Sequence, residues 1–95
     1  MTVYVDDMLR RARVGRLTSR WSHLLADTSE ELHEFAARLG LRREWVQHPG
    51  SVLEHYDVTE QKRARAIKLG AMPITYHESG EIVLRKREAQ EAGRG

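Results

Sequence analysis

The sequence lacks cysteine and long apolar runs, and these two absences exclude several classes of protein. With no cysteine among its 95 residues, the chain has no disulfide scaffold, no thiol nucleophile and no cysteine-ligated zinc or iron–sulfur site. No apolar run approaches the roughly 18 residues that a membrane span requires. The opening residues, Met1 to Tyr4, lack the charged-then-apolar pattern of a secretory signal. We therefore expect a cytoplasmic protein with no membrane partner.

The common catalytic fingerprints are also missing, and aromatic residues are few. The chain contains no glycine-rich phosphate loop, no HExxH motif and no GxSxG motif. Only 6% of the residues are aromatic, so a core needs most of them. A chain of this length forms one core. We predict a single domain over residues 1–92 and a frayed tail over 93–95.

Basic and acidic residues are segregated, although the formal net charge is only +2. Residues 9–20 hold five arginines and no acid. A partner responds to the local potential over about 8–10 Å at physiological salt, and the arginine fork binds phosphate with two hydrogen bonds. An ordinary clustering of surface charge is the alternative. The sequence thus predicts phosphate binding by Arg10, Arg11, Arg13 and Arg16.

Strand and helix patterns alternate along the chain. Strands are predicted at residues 2–5, 21–26, 42–47 and 72–76, and the arginine stretch is predicted to be a loop. This alternation predicts an α/β fold: one compact domain with a mainly parallel sheet of about four strands and two or three helices.

Three helices are predicted from their end signals. The first begins at Thr28, with Glu31 completing a capping box, and ends at Gly40. The second runs from Thr59 to Gly70. The third covers 81–92, with a hairpin around Ser79-Gly80 as the alternative.

Aspartates lie at three predicted strand ends: after residues 2–5, after residues 21–26, and in the extended segment 55–58 that leads into the second helix. Asp6 or Asp7, Asp27 and Asp57 would meet at the carboxyl edge of a parallel sheet, where ligands bind in open α/β folds. Converging carboxylates favour Mg²⁺ or Mn²⁺, and such an ion assists attack on a phosphodiester. Alternatively, Asp27 and Asp57 only stabilise the helices that follow them.

Two histidines are candidate proton-transfer groups. His55 and Asp57 point to the same face of a strand, which allows the carboxylate to orient the imidazole. His23 lies in an apolar strand, where the alternative is a buried imidazole bonded to backbone. Thr59 begins a helix whose free N–H groups are suited to bind a phosphate.

Five motifs, in order, resemble a family of small bacterial and bacteriophage proteins that carry a domain of unknown function. They are TVYVDD (2–7), WSHLLAD (21–27), EELHEFAARLGL (30–41), WVQH (45–48) and HYDVT (55–59). The resemblance covers residues 2–76. It implies a stand-alone domain in a bacterial host cell and brings no established activity, ligand or site residue.

The leading functional hypothesis is a protein that binds or acts on a nucleotide or nucleic acid, with a Mg²⁺- or Mn²⁺-dependent nuclease or phosphodiesterase as its enzymatic form. Asp6, Asp27 and Asp57 would hold the metal, and His55 or His23 would move protons. The alternative is a non-enzymatic small protein that sequesters a nucleotide signal or binds a host protein. Plain DNA binding by charge is a third hypothesis, which predicts a steep salt dependence. Whether the protein forms a homo-oligomer is left open by the sequence.

Overall fold

A five-stranded sheet lies between helices in the computed structural model, which describes residues 2–93. The strands are β1 (Val3–Val5), β2 (Arg10–Val14), β3 (Leu17–Ala26), β4 (Tyr56–Val58) and β5 (Met72–Pro73). The helices are α1 (Ser29–Arg38), α2 (Glu60–Lys68) and α3 (Tyr76–Ala92), with a 3₁₀ turn at Arg43–Trp45.

The alternation of side chains along β3 divides the core into two layers. Leu24 and Ala26 face α1 and α2 and belong to the larger hydrophobic cluster. Leu25 points to the other face, where it packs with Tyr4 and with Ile82 of α3. Odd-numbered residues of β3 therefore share a face with α3, because successive side chains of a strand point to opposite sides.

The α/β class is confirmed, but the prediction of a mainly parallel sheet is wrong. β3 pairs antiparallel with β1, β2 and β4, and only β1 and β5 are parallel. The cause is the arginine stretch, which forms β2 rather than a loop. Val14 pairs with Leu17 across a two-residue turn in which Gly15 has a φ of 61°. Such a turn joins antiparallel strands, whereas parallel strands need a crossover.

The first two helices begin and end at the predicted residues. The hydroxyls of Thr28 and Thr59 accept hydrogen bonds from backbone N–H groups three residues further on. Gly40 and Gly70 follow the helices with φ values of 84° and 110°, the left-handed region that glycine adopts without strain.

One predicted strand is absent, a second is shorter than predicted, and the third helix, which is confirmed over residues 81–92, begins earlier. The segment 42–47 contains a single 3₁₀ turn instead of a strand, and Trp45 is 51% exposed rather than inward. The last strand is limited to Met72–Pro73. The third helix starts at Tyr76 and passes through Ser79-Gly80, so no hairpin forms there.

The early start of α3 has a clear cause. Thr75 and Glu78 form a reciprocal capping box, in which each side chain accepts from the other residue's backbone N–H. Gly93 ends the helix, and the rest of the predicted tail lies outside the described residues. Of the helices in residues 2–93, none has the length and apolar character to cross a membrane.

Candidate functional site

A bulge between β1 and β2 places a buried carboxylate beside β3. Both strands pair with β3, and residues 6–9 lie opposite Ser22 and His23. Asp6 is fully buried. Its Oδ1 accepts hydrogen bonds from the backbone N–H of His23 (2.9 Å) and of Met8 (3.2 Å). The bulge thereby fixes the orientation of the carboxylate.

The other oxygen of Asp6 holds the ring of His23. Asp6 Oδ2 lies 2.7 Å from His23 Nδ1. Burial by itself raises the pKa of Asp6, but its hydrogen bonds with the side chain and backbone of His23 outweigh that effect, so the pKa lies below its ordinary value. An ionised carboxylate only accepts hydrogen bonds, so His23 Nδ1 is the donor in this contact and Nε2 is the ring nitrogen that points away from Asp6.

His55 is held in the same way by a backbone carbonyl. Its Nδ1 lies 2.7 Å from the oxygen of Leu53, which also only accepts. His55 Nε2 is 3.4 Å from Asp57 Oδ1. Burial lowers the pKa of His55, but hydrogen bonds with Asp57 and Leu53 raise it above its ordinary value. The hydrogen bond from His55 lowers the pKa of Asp57 more than burial raises it.

The Nε2 atoms of both histidines lie near one carboxylate oxygen of Asp57. His23 Nε2 is 4.0 Å from Asp57 Oδ1, and one ligand atom from each of His23, His55 and Asp57 lies within 4.8 Å of the others. Two ligands about 2.1 Å from a tetrahedral ion are about 3.4 Å apart. The 3.4 Å between His55 Nε2 and Asp57 Oδ1 matches that spacing, whereas the 4.0 Å between His23 Nε2 and Asp57 Oδ1 exceeds it by about 0.6 Å, so His23 would have to move closer to bind the same ion. Both histidines already have the acceptors that orient metal-bound imidazoles.

A cleft of about 510 Å³ opens beside these groups, between the start of α3 and the segment before β4. The ring of Tyr76 stacks on His23 at a centroid distance of 5.6 Å. The backbone N–H of Tyr76 donates to Asp7 Oδ1 at 2.7 Å, which fixes the start of α3 over the site. Leu25, Leu53 and Val83 give the cleft an apolar wall.

A buried polar cluster anchors the segment that carries His55. Glu54 is 4% exposed. Its Oε2 accepts from the backbone N–H of Gly50 (3.0 Å) and lies 3.3 Å from His33 Nε2. His33 Nδ1 is 2.8 Å from the hydroxyl of Tyr56. Burial raises the pKa of Glu54, but its interactions with Gly50, Ser29 and His33 hold it below its ordinary value.

The structure brings together four of the five residues predicted to bind metal or transfer protons. His23, His55 and Asp57 meet, and Asp6 contacts His23. Asp27 lies opposite Thr2, whereas Asp6 lies opposite His23. These positions are four residues apart along β3, or about 13 Å at roughly 3.3 Å per residue. Asp27 instead accepts hydrogen bonds from Thr2 and Tyr4. The three aspartates do not meet because β3 runs antiparallel to its neighbours.

The predicted phosphate ligands are dispersed. Thr59 uses its hydroxyl to cap α2. Arg10 pairs with Trp21 and so shares the face of His23, whereas Arg11 and Arg13 lie on the opposite face. Arg16 lies in the turn between β2 and β3. The arginines form part of an exposed arm rather than a lining of the cleft.

Several residues of the site are not predicted from the sequence. Leu53 contributes only its backbone carbonyl, which has no residue-specific pattern. Glu54 and Tyr76 carry usable signals: Glu54 precedes the His55-Tyr56-Asp57 segment, and Tyr76 is the first residue after the Thr75 cap. Either signal could have indicated a residue beside the site.

The comparisons with known proteins identify the family and no more. No curated protein and no solved structure gives a significant match. A family model described as "Protein of unknown function (DUF4031)" matches residues 3–87. The match confirms the predicted resemblance and extends it beyond Tyr76 into α3, whose start forms one wall of the cleft. The chain therefore belongs to the DUF4031 family of proteins of unknown function.

Proposed function

We propose that the protein is a divalent-metal-dependent hydrolase of phosphate esters. One observation carries the proposal: His23 Nε2, His55 Nε2 and Asp57 Oδ1 converge, and the Nδ1 atom of each histidine already faces an acceptor. A structural histidine does not need its second nitrogen directed at another histidine and a carboxylate. Three protein ligands are typical of catalytic sites, because they leave a position for water or substrate.

The donor set narrows the choice of metal. Imidazole suits Zn²⁺ and other transition metals, whereas Mg²⁺ prefers oxygen ligands alone. Two imidazoles and one carboxylate therefore favour Mn²⁺ or Zn²⁺ over Mg²⁺. The sequence predicts Mg²⁺ or Mn²⁺, whereas we propose Mn²⁺ or Zn²⁺.

The chain's own groups supply orientation and charge. When bound, the metal would polarise a phosphoryl oxygen and lower the pKa of a water molecule. Asp6 and the Leu53 carbonyl hold the two imidazoles in place. The exposed ring of Tyr76 offers a flat surface for the rest of the substrate.

A metal titration tests this proposal. With Mn²⁺ or Zn²⁺ at about 100 times its Kd, we expect about 2.7 kcal/mol of added stability, measured by urea unfolding. Mg²⁺ should add much less. His55→Ala should abolish the stabilisation, and hydrolysis of bis(p-nitrophenyl) phosphate should require the same metal and the same residue.

His77→Ala is the matched control. His77 also lines the cleft, but within residues 2–93 its Nε2 pairs with Glu81 alone, on the surface of α3. This variant should keep the metal-dependent stabilisation. A wild-type protein that gains no stability from any of the three ions would contradict the proposal.

Substitutions at Gly80 test the role of the cleft independently of metal binding. It lies inside α3 and lines the cleft, and a Cβ added there meets no atom within 4 Å. Gly80→Ala should stabilise the protein by about 0.5–1 kcal/mol, since glycine is unfavourable within a helix. Gly80→Leu should fill the cleft, lower kcat/KM for the ester and leave the metal Kd unchanged. A lower metal affinity in Gly80→Leu would contradict this separation.

The second candidate function is ligand binding without catalysis. The stack of Tyr76 on His23 and the apolar wall favour it, because they suit a planar ring such as a nucleobase. This function predicts that a nucleotide stabilises the metal-free protein and is recovered intact. Chromatography of the ligand after incubation with metal distinguishes the two functions, since the hydrolase returns cleaved product.

A further inference from the structure

The hairpin of β2 and β3 forms an arm rich in arginine. We define the arm as residues 10–21. β2 is the edge strand and pairs only with β3. The arm carries five exposed arginines and no acid: Arg10, Arg11, Arg13, Arg16 and Arg20. Within residues 2–93, Arg20 is the one member of this set that pairs with an acid, namely Glu60 at 3.3 Å.

The charge of the arm lies on both of its faces. Arg10 pairs with Trp21, which places it on one face of the ribbon. Arg11 pairs with Arg20 on the opposite face, where Arg13 also lies. Two like charges directly across a strand pair repel each other. A binding partner with closely spaced negative charges would remove this repulsion.

The strand pair next to the turn of the arm is apolar. Val14 and Leu17 form the last pair before the turn and are 56% and 52% exposed. They belong to neither core cluster among the described residues. An apolar pair flanked by arginines suits a groove that has phosphates along its walls and thymine methyl groups among the base edges at its floor.

We propose that the arm binds duplex DNA by inserting into the major groove. That groove is about 12 Å wide and admits a two-stranded β-ribbon. Its two walls are phosphate backbones, which match arginines on both faces of the arm. An anionic membrane presents charge in one plane and would leave Arg10 or the opposite face unpaired. The deep, narrow major groove of duplex RNA does not admit side chains.

The proposal names the substrate class of the hydrolase, and in that respect it rests on the proposed function. Binding by the arm does not require the metal site, which lies on β3 and β4 beyond the arm. The test is therefore made in EDTA. His55→Ala should bind DNA like the wild type there, so failure of the metal proposal and failure of the arm proposal give different results.

The test measures binding of a fluorescent 20-base-pair DNA duplex by anisotropy over a series of salt concentrations. Arg11→Gln/Arg13→Gln should weaken binding, and the slope of log K against log salt should fall by about 1.8, or 0.9 for each phosphate that the variant no longer neutralises. Arg85→Gln/Arg87→Gln on α3 removes the same charge away from the arm and should leave the slope unchanged. Circular dichroism melting checks that both variants fold.

Three outcomes would overturn the proposal. The first is equal affinity and equal slope for the two double variants. The second is binding of duplex RNA at least as tight as that of DNA. The third is arginine-dependent binding to phosphatidylserine vesicles without binding to DNA, which would assign the arm to a membrane surface.

Discussion

Asp6→Asn is expected to lower the affinity for Mn²⁺ or Zn²⁺ by about 10- to 100-fold, the usual effect of losing an outer-shell partner of a ligand. In the wild type, the carboxylate accepts from His23 Nδ1, which leaves Nε2 free. In the variant, the amide oxygen keeps the hydrogen bonds from the backbone of Met8 and His23. Its NH₂ group then faces Nδ1 and stabilises the tautomer that is protonated at Nε2, which cannot bind a metal.

Two measurements check this prediction. Isothermal titration gives the metal Kd, and the ¹⁵N chemical shifts of the His23 ring report which nitrogen carries the proton. Asp7→Asn is the matched control, because it removes the same charge one residue away and its side chain contacts the backbone of Tyr76 rather than His23. A similar drop in affinity for both variants would mean that charge, not the tautomer, controls metal binding.

The residues of the proposed metal site can be predicted from sequence only where a local rule places them. His55 and Asp57 share a face because they are two residues apart in a strand, whichever direction that strand runs. Asp6 and His23 are 17 residues apart, and their contact depends on the pairing of β1 with β3. Their residue types indicate chemistry, but no local pattern encodes the 2.7 Å distance between Asp6 Oδ2 and His23 Nδ1.

Strand direction is the main error of the sequence-based prediction, and it has a physical cause. Alternation of apolar residues identifies the buried face of a strand and carries no information about its neighbours' direction. β2 is exposed on both faces, with Ala12 its one half-buried residue, so it shows no apolar alternation. If β2 is interpreted as a loop, the hairpin that makes β3 antiparallel to β1 is missed. Asp27 is then placed at the same edge of the sheet as Asp6, which is wrong.

The helices are more predictable because their ends are specified by neighbouring residues. The caps at Thr28 and Thr59 act over three residues, and Gly40 and Gly70 act by their own backbone freedom. The start of α3 is also specified by neighbouring residues, and the prediction misplaces it because it overlooks them. Its start depends on the Thr75 capping box, and interpreting Gly80 as a turn ignores that a glycine inside a helix costs only about 1 kcal/mol.

The antiparallel sheet changes the kind of site that the chain can build. A parallel sheet would bring strand ends together and favour an all-oxygen site of aspartates. Here β3 lies between β1 and β4, so the side chain of His23 sits between residues from both neighbours. Asp6 contacts one nitrogen of the ring, and Asp57 lies near the other. An imidazole therefore lies where the sequence predicts a carboxylate, and the metal that we propose changes with it.

Glu54→Ala is expected to destabilise the protein by about 3 kcal/mol, because it removes one partner of a buried hydrogen-bonded pair. The Gly50 N–H and the ring of His33 would lose their acceptor. Urea unfolding at pH 7 measures the change in stability. The metal Kd should also rise, since the Leu53 carbonyl that orients His55 belongs to the same segment.

The pH dependence of the stability distinguishes an effect of the Glu54 charge from an effect of its packing. The folded pKa of Glu54 lies below its ordinary value of 4.5, so its stabilising effect is fully present above that value and disappears as the pH falls through the folded pKa. The stability difference between wild type and Glu54→Ala should therefore shrink in acid. Glu34→Ala, on the exposed face of α1, should stay within about 0.5 kcal/mol of the wild type throughout. If Glu54→Ala is as mild as Glu34→Ala, the buried cluster does not anchor the segment that presents His55 to the metal.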